Sequence, residues 1–455
     1  MSCWKGDTLN LSIFGQSHGP SIGMNLSGIP AGYPVNIDEL QAFLNRRAPG
    51  SSPYVTTRKE PDTPDFLSGL KDNLTSGDQI CAVIYNKNIR SSDYQNIADC
   101  PRPGHADYTA KVKYGMDYDV SGGGQFSGRL TAPICIAGGL CIQWLKAEGI
   151  EIIGHISAIG SVEDLPKNLN GIDPQQTALD PHLPVIDHNR GKEMLEQIAK
   201  AKAAGDSVGG IIECVVTGLP AGLGGPLFDG IEGKLSQILF GIPAVKAVEF
   251  GSGFSSAALP GSINNDAFTV KDGKIITLTN NCGGILGGIT NGMPLTLRLA
   301  VKATPSIAQK QNTVNLKTME NTTIEVQGRH DPCIVIRAVP VVEAAVAIVL
   351  LDEILSARQN TSKNIKSLRA KIDQIDSGLV KLFAERMEIA KNIGYYKLES
   401  GLPIYDPVRE KEKLQTILEY TGQDMRDYIR DLYETVFRVS KDYQIKCNDE
   451  RENEL

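Results

Sequence analysis

Three of the six histidines lie in segments dense in Gly, Pro, Arg and Asp: Phe14-Gly-Gln-Ser-His-Gly19, Arg102-Pro-Gly-His-Ala-Asp107 and Gly328-Arg-His-Asp-Pro-Cys333. Loops that set His beside Gly and Arg suit proton transfer to a bound anion, because imidazole titrates near neutral pH. His155, His182 and His188 stand in ordinary sequence and read as surface or core residues. Cations recur in the same Gly- and Pro-rich company: Arg46, Arg47, Arg58, Arg102, Arg129, Lys302, Arg329 and Arg337. Guanidinium forks match carboxylate and phosphate oxygens. The glycine loops Gly122–Ser127 and Gly283–Gly292 are neither a Walker A loop nor a Rossmann turn, yet their backbone amides could cradle a phosphate or admit a flat ring. The residues point to an enzyme or binder for a small, multiply anionic ligand, with His as proton carriers.

A second charge set lies near the C-terminus. Arg369, Arg386 and Lys397 sit in one helical pattern. At 100° per residue Arg386 and Lys397 fall within about 20° of each other, whereas Arg369 points elsewhere and could serve a second subunit. Cations among Leu and Ile invite an anionic ligand, although a solvated helix face gives the same pattern.

The elements that must position these residues change character near residue 357. Before it, Gly-rich punctuation alternates with short apolar runs, such as 150–153 and 209–216, as in a mixed α/β body. After it Gly is scarce, and Ile365, Leu368, Ile372, Ile375, Leu379, Leu382, Phe383 and Leu398 keep a helical spacing. That helix would be about 50 Å long. Pro403 and Pro407 end it, and further helices are expected over 408–420 and 424–446. We expect a body at 1–356, a polar linker at 357–364 and an all-helical domain at 365–455. Three helices, the first very long, fit an intertwined dimer.

The 46 Lys and Arg against 53 Asp and Glu give a net charge of −7, and without a basic run this argues against nucleic acid as partner. No uncharged run of 18 apolar residues suggests a membrane span. The nine cysteines form no CxxC pair, so free thiols in a reducing cytoplasm are expected and no metal set is.

Residues 9 to about 355 resemble chorismate synthase. The stretches that carry the likeness are GQSHG, LNRRAPG, RPGHADYTAKVKYG, the Gly122–Ser127 loop with Arg129, GGILGGITNG, VKATPSI and GRHDPCIVIRAVPVVEA. The resemblance implies a β-α-β sandwich, usually a tetramer. It implies removal of phosphate and a hydrogen from 5-enolpyruvylshikimate 3-phosphate to give chorismate, with reduced FMN required and no net redox change. His105 would protonate reduced flavin, His18 beside Ser17 would meet the leaving phosphate, and Asp331 would help the flavin accept the substrate proton. Arg46, Arg47, Arg129 and Arg337 would hold the substrate's anionic groups. Gln125, Phe126, Ser127, Ala244, Gly287, Lys302, Ala303, Thr304, Pro305, Ser306 and Arg329 fall on flavin-contact positions. This chain departs from many members at Gln125-Phe126, at Leu130 and at Pro53. The last replaces an Arg often linked to NADP, so flavin is expected to arrive already reduced.

Residues from about 365 to 444 resemble the all-helical chorismate mutase, through Leu368-Arg-Ala-Lys-Ile-Asp373, Ala384-Glu-Arg386, Gly394-Tyr-Tyr-Lys397, Asp406-Pro-Val-Arg-Glu410 and Ser440-Lys-Asp-Tyr-Gln444. That enzyme rearranges chorismate to prephenate by a pericyclic reaction needing neither nucleophile nor proton transfer. By resemblance Arg386 and a partner's Arg369 clamp the carboxylates, Lys397 and Gln444 stabilise the ether oxygen, and Glu410 binds the hydroxyl. Asp406, Arg409 and Ser440 complete the pocket. The chain as a whole is expected to be α+β and bifunctional. The competing expectation is a synthase with a non-catalytic regulatory or oligomerising tail.

Overall fold

A computed structural model describes residues 2–50, 62–86, 99–119, 121–164, 180, 182–326 and 331–454, the side chains of 121, 361–364, 366, 367 and 454 excepted. Pro53, Arg58, Arg329 and His330, singled out above, lie outside the described residues. Two compact units divide the chain, Met1–Arg358 and Gln359–Leu455.

The first unit stacks helices between two five-stranded antiparallel sheets. One sheet runs, in spatial order, Ser2–Lys5, Asn10–Gly15, Ser21–Ser27, Ile80–Tyr85 and Asp65–Ser68. The other runs Val245–Phe250, Leu295–Val301, Gly210–Thr217, Glu151–Ile159 and Val162–Glu163. The helices Thr131–Ala147 and Val335–Glu399 (by its first six turns) supply the middle layer. Both are apolar nearly all round, as a helix covered on every side must be. From Val335 to Leu355 almost every side chain is buried, and each fully buried Val, Leu or Ile contributes about 1.5–3 kcal/mol. The stretch Gly128–Ala147 is long and apolar enough to cross a membrane, but most of it is buried inside this core. This is the β-α-β sandwich expected. His155, as its ordinary context suggested, is a sheet residue, fully buried and in register with Glu213, which faces Arg298.

Two devices fix the middle layer. Asp352 accepts the backbone N–H groups of Asp7, Thr8 and Leu9 at 2.6–2.9 Å, pinning the first strand pair to the central helix. Lys234 bridges Asp7 and Glu353 beside it. At Gly138 the helices touch so closely that a Cβ would lie 2.3 Å from Ala344 Cα.

The second unit holds the rest of the Val335–Glu399 helix and the helices Pro407–Glu419 and Arg426–Glu454. Pro407 sits in the first turn of its helix, where its missing N–H costs nothing, and the Asp406 carboxylate caps the Arg409 N–H. The last helix continues eight residues past the expected end, because no Gly or Pro follows Gln444 to stop it. The stretch 357–364 differs from expectation as well. It is helical, not an irregular linker: it is polar but lacks Gly and Pro, and Ala357, Arg358, Gln359 and Lys363 favour helix. Polarity marked the end of a buried helical face, not the end of the helix.

Replacing Gly138 with Ala should destabilise the first unit by about 1–3 kcal/mol, the usual cost of overpacking, despite alanine's better helix propensity. Denaturant unfolding of the full chain, followed for the first transition, measures this; a stabilised Gly138→Ala would show that the two helices do not pack this tightly.

Candidate active sites

The strand Asn10–Gly15 ends at Gly15, with φ +91°, and the chain turns through Gln16–Gly19 before re-entering the sheet at Ser21. Ser17 and His18 are thereby presented at one end of the sheet's strands, Ser17 almost fully buried. Against them lies the loop Ser121–Phe126, in which Gly122, Gly123 and Gly124 take φ of +59°, +84° and +53°. A Cβ on Gly122 would lie 2.4 Å from the His18 ring, and one on Gly123 would lie 3.4 Å from His105 Nε2. Only glycine lets one turn meet both histidines.

His105 is held from behind. Its Nδ1 lies 2.6 Å from Asp107 Oδ1. Asp107 also takes Arg102 Nε at 2.7 Å and Nη2 at 2.8 Å, and Arg102 Nη1 donates to Ser306 at 2.9 Å. Burial pushes the Asp107 carboxyl up, but bonds from Arg102 and His105 outweigh it and hold the group far below the usual carboxylate range. The carboxylate therefore accepts a hydrogen bond from Nδ1–H, and Nε2 is the ring nitrogen turned to Gly123. The segment Lys302–Ser306 is stitched to the same place. Lys302 Nζ donates to Gly104 O at 2.9 Å and Thr304 Oγ1 to Asp331 O at 3.0 Å. Burial and nearby Lys246 lower the Lys302 pKa.

The arginines part company. Arg47 is 3 % exposed and donates to Asp62 at 2.5 Å, to Thr131 Oγ1 at 3.1 Å and to Gly128 O at 2.9 Å. Arg129 Nη1 bonds the other oxygen of Asp62, and its Nε donates to Asn86 Oδ1 at 3.3 Å. Burial would raise the fully buried Asp62 carboxyl, but Arg47 and then Arg129 hold it below its ordinary value. Arg337 donates to Arg47 O at 2.9 Å and pairs with Asp331 at 2.5 Å. Arg46 sends its fork to Glu343 at 2.6 and 3.0 Å, because adjacent helix residues point about 100° apart. It is not brought into the Arg47–Arg129–Arg337 group.

Beside the glycine turn is a cavity of about 420 Å³, lined among others by Phe14, Gly15, Gln16, Gln125, Ser127 and Thr131. That size suits a small organic ligand. Phe126 joins Tyr114 and Tyr118 in an aromatic group, with centroids 6.4 and 5.1 Å apart. Ala244, in a left-handed conformation at φ +75°, accepts the Lys302 N–H at 2.9 Å. Strain of that kind costs about 1–3 kcal/mol and gathers at ligand sites. A side-chain-free glycine wall and a half-buried lysine fit a flat, phosphate-bearing ring.

In the second unit Arg386 donates to Ser440 Oγ, and Lys397 Nζ donates to Ile404 O at 2.8 Å. Glu410 pairs with Lys441 at 3.0 Å, and Lys441 also lies over the Tyr405 ring. Gln444 packs on Gly394 and its Oε1 is buried with no partner. Arg369 and Arg409 are exposed.

Comparison with known proteins decides the first unit. The chorismate synthase family profile matches residues 9–355. Chorismate synthases of Dehalococcoides mccartyi and Methanocaldococcus jannaschii are 47 % and 46 % identical over 358 residues each, covering 78 % and 76 % of this chain and 98 % and 94 % of theirs. The chain belongs to the chorismate synthase family. A crystal structure of chorismate synthase superposes with a TM-score of 0.60 at 27 % identity, covering 78 % of this chain and 93 % of that one. The chorismate mutase type II profile matches residues 368–445. The protein is thus a bifunctional enzyme, a lyase followed by an isomerase. The synthase family requires reduced flavin.

Several residues at the two sites carry no mark in the sequence. Asp62 and Asn86 lie in no glycine-rich motif. Asp107 stood inside the RPGHAD motif without a role, and Lys441 inside the tail motif. Only their partners in space identify them.

Asp62 and Asp107 also set an acid limit. Both folded pKa values lie below the unfolded value of about 3.9, so their stabilisation is complete above about pH 4 and is lost as pH falls through the folded values. Asp107→Asn should therefore melt lower than the parent at pH 6, and the gap should narrow on acidification below about pH 4. A gap that stays constant down to pH 2.5 would contradict the depressed carboxylate.

Proposed function

We propose that the first unit converts 5-enolpyruvylshikimate 3-phosphate to chorismate at the His18, His105 and arginine site, and that the second carries chorismate on to prephenate. What chiefly supports this is the glycine turn that faces both histidines beside the Arg129–Asp62–Arg47 group. Gly122–Ser127, Ala244, Gly287 and Lys302–Ser306 would hold FMN, with Lys302 meeting its phosphate. Reduced flavin, when bound, supplies electron density to the allylic system and recovers it, leaving no net redox change.

The chain's own residues do the rest. Arg129 and Arg337 orient the substrate through its anionic groups, while Arg47 acts from deeper in the wall. His18 offers a proton or a positive charge to the phosphate oxygens as the C–O bond lengthens, where stabilisation counts most. His105, its Nδ1 proton held by Asp107, carries its exchangeable proton at Nε2. Asp331, freed as anionic ligand groups compete for its partner Arg337, would help the flavin accept the proton lost by substrate. Arg46, tied to Glu343, serves the fold more than the substrate.

In the second unit the reaction needs a fixed, electrostatically complementary pocket and nothing more. Arg386, held by Ser440, would bind a carboxylate, and Lys397 with Gln444 would receive the ether oxygen. Glu410, steadied by Lys441, would accept the hydroxyl. Ile372, Ile375, Leu379 and Leu382 are each more than half exposed in the single chain. Such a stripe supports pairing with a second copy, and the likeness to chorismate synthase is the basis for expecting a tetramer. Nine free cysteines are consistent with a cytoplasmic setting.

A one-pot assay with reduced FMN and 5-enolpyruvylshikimate 3-phosphate should accumulate prephenate. His105→Ala should lose the first step and still convert added chorismate at the parent rate. Equal loss of both activities in a folded variant, or accumulation of chorismate by the parent, would sink this reading.

Arg369 and Arg386 lie on one helix, about 25 Å apart at 1.5 Å per residue, farther than one chorismate reaches. Mixing Arg369→Ala and Arg386→Ala chains should therefore restore part of the mutase activity through hybrid dimers. Demonstrated subunit exchange without any recovery would show that Arg369 does not act across an interface.

A further inference from the structure

Neighbouring strands of the first sheet bring two residues to opposite sides of Arg129. Asp62 precedes the strand Asp65–Ser68, and Asn86 follows directly on Ile80–Tyr85, to which that strand is paired. Asp62 takes Arg129 Nη1 and Asn86 Oδ1 takes Nε. The guanidinium is thus gripped at two of its three nitrogens and cannot swing about its last torsions. Asn86 does a second thing. Its Nδ2 donates to Gly19 O at 2.8 Å and approaches Gln16 O and Ser17 O at 3.3 Å, and its backbone N–H bonds Pro20 O at 3.0 Å. Those carbonyls belong to the turn that carries Ser17 and His18.

We infer that Asn86 is a positioning residue for the phosphate elimination: one amide sets the spacing between Arg129 and the Ser17–His18 turn, the two walls between which the departing phosphate is held. The inference rests on the roles proposed above for His18 and Arg129. Its physical basis is the mismatch between chemistry and geometry in the loop. The Gln16–Gly19 turn has one internal backbone bond, Gly19 N–H to Gln16 O at 3.0 Å, and Asn86 Nδ2 reaches Ser17 O and Gly19 O from outside it. An amide is the side chain that can do both jobs, since it accepts from a cation with one arm and donates to carbonyls with the other. A carboxylate at 86 would hold Arg129 yet repel the turn. A misplacement of about 1 Å between reacting groups costs about 100-fold in rate.

The test uses the full chain with reduced FMN. Asn86 is only half-buried, and Asp62 still pairs Arg129 in its absence, so Asn86→Ala leaves no unpaired buried charge and should fold. It should lower the synthase kcat by about 100-fold. KM, flavin affinity, melting temperature and mutase turnover should stay near parental values. Asn86→Asp, which keeps the acceptor for Arg129 and loses the donors to the turn, should fail to rescue. His18→Ala and Arg129→Ala serve as controls. If both controls are inactive while Asn86→Ala keeps kcat within about threefold of the parent, Asn86 does not position the site. Parental turnover in Asn86→Asp would show that the tie to the turn is immaterial. Loss of kcat that merely follows loss of melting temperature or flavin affinity would reduce Asn86 to a structural residue. If the two controls retain turnover, the site reading itself falls, and this inference with it.

Discussion

The synthase unit is built around charge that has been taken out of water. Arg47 and Arg129 are both nearly inaccessible, and an unpaired buried guanidinium costs several kcal/mol. Asp62 makes the pair tolerable by giving one carboxylate oxygen to each. Other placements follow from that bond. Thr131, at the start of the core helix, accepts from Arg47; Gly128 O does the same; and Asn86 at a strand end takes the remaining side of Arg129. Helix start, strand end and turn are tied to one carboxylate. Among the described residues, Arg47 and Arg129 share Asp62 while Arg337 pairs with Asp331.

Backbone shape is the second constraint. Gly122 and Gly123 lie where any side chain would strike His18 or crowd His105. The loop thus acts as a thin wall with a histidine against each of two successive residues. The rigid groups behind it, Asp107 with Arg102 on one side and the Asn86-held turn on the other, leave the rings little freedom. Electrostatic catalysis profits from such order, because fixed groups need not reorganise as charge develops.

Much of this was legible in the sequence because glycine-rich motifs are local. His18, His105 and the Gly122–Ser127 loop each announced themselves within a few residues, and the helical periodicity after residue 365 gave the second unit. Asp62 and Asn86 were not legible, since a buried counter-ion is defined by what lies across the sheet, and a lone Asp or Asn before or after a strand looks like a turn residue. Arg46 shows how little adjacency in sequence says about direction. It adjoins Arg47 in sequence, but the helix turns it to Glu343. The helical stretch 357–364 shows the converse, a polar run that loses its buried face without losing its backbone hydrogen bonds.

The two units answer opposite demands. In the synthase unit protons must move, and the donors around His105 and Arg129 are committed to named partners that hold tautomer and aim. In the mutase unit no proton moves, and the informative atoms are the ones with nothing to do. Gln444 Oε1 and Asn448 Oδ1 are buried without partners, and an orphaned buried polar group costs about 1–3 kcal/mol. A helix face could have avoided that with leucine at both positions. The amide at 444 can turn either its oxygen or its nitrogen inward, since a simple flip interchanges them. The nitrogen is the end that an ether oxygen gaining negative charge would call for. In the pocket proposed above, stability forgone at Gln444 would be recovered as that charge develops, which is how a pocket without a reactive group can favour the transition state over the ground state.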